Sequence, residues 1–204
     1  MKIYGRISDH LRALKDNRLS LQESNRQFVT IQASLDVWLF SLPSWMQISE
    51  TQTFSSGRLT EKQPPHWTIA QYHMLYQTCI IRLQRTYLIP LTSDVSVRSL
   101  VAQTQCYDAA FAITRLASIF LRDNPTFHFV NPIISLSLFE AAIVWISIAK
   151  GAVDSTKIDP CKANLALLLQ AIRNIGVYYA KSREYEKYLL ELSASLMTVC
   201  IQKG

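Results

Sequence analysis

Residues 35–46 read LDVWLFSLPSWM, and residues 67–88 read WTIAQYHMLYQTCIIRLQRTYL. Both stretches are long and apolar enough for helices. The first is stopped by Leu42 and Pro43, because a proline ring disfavours the helical conformation at the residue before it. Upstream of that stop, Ser20 with Glu23 three residues on has capping-box spacing, so a helix is predicted over 20–42. Phe28, Ile31, Leu35, Trp38 and Leu42 recur along it at steps of three and four, one stripe that must bury against another element. Residues 8–15 suggest a shorter helix, but 1–17 offer no apolar face wide enough to stand alone.

Downstream the composition turns polar over 44–66, with Ser55, Ser56, Gly57, Pro64 and Pro65. That is long for a connection inside a compact domain, and a mobile loop is expected. Beyond it, helical patterns cover 67–88, 94–122, 132–150, 162–179 and 183–201. Pro90, Asn124-Pro125, Asn131-Pro132 and Asp159-Pro160 punctuate them as helix stops or first-turn prolines. No alternating run of β-branched residues is bounded by hairpin dipeptides, and no fixed-length repeat is visible. The expected fold is therefore all-α, a multi-helix bundle forming a single domain of about six to seven helices over 1–204.

Composition narrows the function. At 204 residues with 49% hydrophobic content the chain can bury a substantial core. Five glycines leave no phosphate-cradling loop of either common pattern. The net charge of +6 is dispersed, with Arg6, Arg12, Lys15, Arg18 and Arg26 alternating with Asp9, Asp16 and Glu23. Dispersed charge solvates helix faces, whereas nucleic-acid contact calls for a clustered basic stripe, so no direct nucleic-acid contact is expected.

Cys79, Cys106, Cys161 and Cys200 lie far apart with no C-x-x-C pair and no signal peptide, which points to free thiols inside the cell. His10, His66, His73 and His128 lack metal-ligand spacing, and no metal or cofactor is expected. No nucleophile elbow, aspartate-rich run or H-E-x-x-H occurs. Cys79 and His73 share a helix but sit six residues apart, on different faces. The chain is read as non-enzymatic.

Residues 132–149 (PIISLSLFEAAIVWISIA) are about the length of a short membrane span. Against that stand Ser135, Ser137, Ser147 and Glu140, the last costing roughly 2.5 to 3.5 kcal/mol in a bilayer if it behaves like aspartate. A helix apolar all round is also what the centre of a helical domain requires. In that setting Glu140 either reaches water at the bundle edge or marks a buried polar site with Arg82 or Arg85, and Arg173 as a further candidate partner.

Taken in order, these segments resemble the fungal-specific transcription factor domain, the all-helical regulatory middle region of zinc binuclear cluster activators and repressors. LDVWLFSLPSW at 35–45 is similar to that family's Leu-x-x-Trp-x-x-x-Leu-Pro element. QYHMLYQTCIIRLQRTY at 71–87 is similar to its Tyr-His helix. Where the family closes that helix on a Leu-His-Arg-Pro turn, this chain has Leu83, Gln84, Arg85 and Thr86, so the helix is expected to run on toward Pro90. CYDAAFAITRL at 106–116, NPIISLSLFEAAIVW at 131–145 and NLALLLQAIRNIGVYY at 164–179 resemble the later elements.

The resemblance implies a regulatory portion that restrains an activator through intramolecular or partner contacts and, in some members, senses a small-molecule effector. An effector cleft would draw on Trp38, Trp45, Trp67, Tyr72, Tyr76, Phe139 and Trp145, although aromatic residues at helical spacing are core far more often than ligand box. The six-cysteine zinc cluster and the earlier helices of the family are missing, which implies the C-terminal portion of a longer regulator or a truncated product. The partners implied are the missing N-terminal part or other transcription proteins, and the location is the nucleus when joined to a DNA-binding module, otherwise the cytoplasm. Two alternatives stay open: an intracellular helical small-molecule-binding protein with no role at DNA, and a membrane-associated protein held by 132–149.

Overall fold

The computed structural model describes residues 2–47, 67–87, 97–123, 130–151 and 155–202. The chain is all-α, with seven α-helices, two short 3-10 turns and no strand among the described residues. It divides into two compact units, Met1–Cys106 and Tyr107–Gly204. The expected mobile segment 44–66 begins as a 3-10 turn at Ser44–Met46, and 48–66 lie outside the described residues.

In the first unit α1 (Lys2–Lys15), α2 (Leu21–Phe40) and α3 (Trp67–Gln84) pack pairwise against one another. The full length of α1 corrects the expectation of a short helix over 8–15. Ile3, Ile7, Leu11 and Leu14 form a narrow stripe that becomes stable only because neighbouring helices cover it, with Ile7 and His10 buried. Helix α1 closes on Asn17 in the left-handed conformation (φ 52°). Arg18 N–H donates to the Ala13 carbonyl at 2.9 Å and Asn17 N–H to Leu14 at 3.1 Å, the pair of bonds that defines a Schellman cap.

Ser20 caps α2, its hydroxyl accepting from the Glu23 amide at 3.2 Å. The Glu23 carboxylate is used differently from a full capping box: it accepts from Gln27 Nε2 at 3.0 Å. Gln27 Oε1 therefore faces His10 Nδ1 at 3.1 Å as an acceptor, and the imidazole must donate from that nitrogen. The predicted stripe holds from Phe28 to Trp38, and Leu42 lies beyond the end of the helix. Ile31 and Leu35 are buried, Phe28 meets Tyr87 edge-on at 4.8 Å, and Trp38 stacks on Tyr76. The helix ends at Phe40, two residues short of the expected stop. Ser41 N–H still bonds Val37, but Leu42 N–H tightens onto Leu39 at 3.2 Å and Pro43 has no N–H to continue the ladder.

Toward Pro90, α3 keeps helical form as far as Tyr87, and 88–90 lie outside the described residues. The α-helix stops at Gln84 and tightens into a 3-10 turn, Arg85–Tyr87, with the Thr86 hydroxyl on the Leu83 carbonyl at 3.0 Å. Buried Gln84 donates Nε2 to Gln105 and, at 3.3 Å, to Gln32. Helix α4 (Val97–Asp123) opens in this unit, where Arg98 lies over the rings of Tyr87 at 3.9 Å and Phe28 at 4.9 Å and bonds Asn25 at 2.7 Å. A cation held against two rings and an amide fixes the start of α4 against α2.

The second unit is built around α5 (Ile133–Gly151), against which α6 (Ser155–Gly176) and α7 (Ala180–Gln202) pack, and these two also pack on each other. The Asn131 side chain accepts the Ile133 N–H at 3.0 Å and starts α5, as the Asn-Pro pair predicts. Asp159-Pro160 does not start α6. The helix begins at Ser155 and Pro160 lies inside it, just past the first turn, where one ladder bond to the Thr156 carbonyl is withheld. At the α6 to α7 turn the Arg183 guanidinium donates to the Gly176 carbonyl at 2.5 Å, and the Tyr179 hydroxyl reaches the Val130 carbonyl at 3.2 Å.

Candidate functional site

The two quoted stretches meet in the first unit. The 3-10 turn after Pro43 brings the Met46 carbonyl to 2.8 Å from His73 Nε2. A carbonyl only accepts, so Nε2 carries the proton and the neutral ring keeps its lone pair on Nδ1. Burial lowers the pKa of His73 from 6.5, partly offset by that hydrogen bond. One helical turn along, Tyr76 stacks on Trp38 with centroids 5.9 Å apart and planes at 19°. Burial raises the Tyr76 pKa, with the Asp36 carboxylate and then Cys79 adding to the shift. The Leu-Pro stop and the Tyr-His helix are thus one assembly: the stop aims Met46 at His73 while the stripe aims Trp38 at Tyr76.

The remaining aromatic candidates separate. Trp45, in the middle of the turn, is 71% exposed and Tyr72 is 45% exposed, so neither is core. Trp67 opens α3, and its side chain lies outside the described part of the structure. Phe139 and Trp145 belong to the second unit. There Phe139 stacks on Tyr185 at 4.5 Å, with Tyr188 at 5.8 Å. Trp145 is 2% exposed, donates its indole N–H to the Thr114 hydroxyl at 2.9 Å and meets Tyr107 edge-on at 5.3 Å. Thr114 in turn donates to the Ala110 carbonyl at 2.8 Å, so both polar hydrogens are satisfied in the core.

Of the polar candidates, Glu140 is buried in the second unit, while Arg82 and Arg85 lie in the first. Arg82 bonds the Tyr4 hydroxyl and sits 5.0 Å from that ring's centroid, and Arg85 is exposed. Arg173 pairs with Glu186 at 2.7 Å. Burial pushes the Cys79 thiol up to about 11, so it is held protonated at neutral pH and is no nucleophile in this state. Cys79, Cys106 and Cys161 are free thiols, and among the described residues no three of His, Cys, Asp and Glu gather as a metal set. His66 and His128 lie outside the described residues.

Sequence reading missed Tyr4, Tyr107, Thr114 and Tyr185, the partners of the residues it singled out. A helical stripe marks which side chains turn inward but not which side chain on another helix meets them. No family model matches this chain, and no curated protein or solved structure matches it either.

Proposed function

We propose that this chain is a regulatory, non-catalytic portion of a fungal transcription factor, working through contacts with the rest of its regulator or with other transcription proteins. The observation that carries the reading is the joining of the Leu-Pro turn to the Tyr-His helix through Met46 and His73, and Trp38 and Tyr76. The two elements that first suggested the family have a physical reason to occur together. The later elements support it as well, since 106–116 lies within α4, 131–145 enters α5 and 164–179 runs along α6.

Burial of α5 fits the same reading. It is long and apolar enough to cross a membrane by length and composition, yet its most apolar window is 56% buried among protein neighbours and Ser135, Ser137 and Glu140 are buried with it. A portion of this kind acts in the nucleus when joined to a DNA-binding module, and an apolar effector is the ligand class the resemblance suggests.

The test is a reporter assay in a fungal host. The chain is inserted between a heterologous DNA-binding module and a constitutive activation segment. Reporter output is expected to fall severalfold against a linker of equal length and to recover when Trp38→Ala and His73→Ala are combined. Unchanged output from a soluble, correctly localised fusion would refute the proposal.

A further inference from the structure

We draw no further inference here: the strongest candidate, the outer apolar face of helix α2 formed by Val29, Val37 and Phe40, is exposed, and nothing in the structure shows what covers it.

Discussion

Helices α2 and α5 are nearly equal in length, 20 and 19 residues, and the chain uses them in opposite ways. Helix α2 is two-faced: Ile31 and Leu35 are buried while Val29, Val37 and Phe40 face outward. Helix α5 has little polar side, and Ile134, Leu138, Ala141, Ala142 and Trp145 are buried around it together with Ser135, Ser137 and Glu140. A two-faced helix tolerates change on one side only and so can present a surface to a partner. A helix enclosed on most sides is sensitive along its length and serves as the fixed centre of its unit.

The comparison gives a ranking. Trp145→Ala should have the largest effect, destabilising the second unit by about 3 to 5 kcal/mol through the cavity and the hydrogen bond that the Thr114 hydroxyl no longer accepts, read from the urea midpoint. Leu35→Ala on the inner face of α2 should cost about 2 to 5 kcal/mol, while Val37→Ala two residues away should fall within about 0.5 kcal/mol of wild type. Equal costs at Leu35 and Val37 would break the two-faced description. Asn17→Ala should cost about 1 kcal/mol because the left-handed backbone of the α1 cap is retained without a side chain suited to it, and Asn17→Gly should be neutral or stabilising.

The same contrast explains what could be read from the sequence. Along α2, polar and apolar residues alternate with helical period, so the inner stripe was legible down to Phe28, Ile31, Leu35 and Trp38. Along α5 there is no alternation to read, so its core position followed from composition, and the bond from Trp145 to Thr114 was invisible because it joins residues 31 apart in sequence. Helix α1 is hard to read from sequence for a related reason: its stripe is narrow, and its stability comes from packing against α2 and α3. Pro160 reads as a boundary because prolines commonly stand at helix starts, and here the first turn forms ahead of it.

At the candidate site, Trp38, Tyr76 and His73 could be placed on inward faces, but the acceptor for His73 is the main-chain carbonyl of Met46, and a carbonyl leaves no trace in residue identity. That hydrogen bond is what makes the Leu-Pro turn and the Tyr-His helix a single assembly. Burial of His73 within that assembly has the smallest and most specific consequence. His73 has a folded-state pKa below its unfolded value of 6.5, so the unfolded chain takes up the proton first and stability is lost as pH falls below 6.5 toward the folded-state pKa. His73→Gln, which can still donate to the Met46 carbonyl, should keep the fold and flatten this part of the profile.

The measurement that tests the assembly most directly is an NMR titration of the His73 ring in the full chain. The joined arrangement predicts the Nε2–H tautomer, an unprotonated Nδ1 and a midpoint below 6.5, with the fixed tautomer lost when Met46 is displaced by Pro43→Gly. A ring that titrates at 6.5 with both tautomers populated would show that the turn and the helix are not joined.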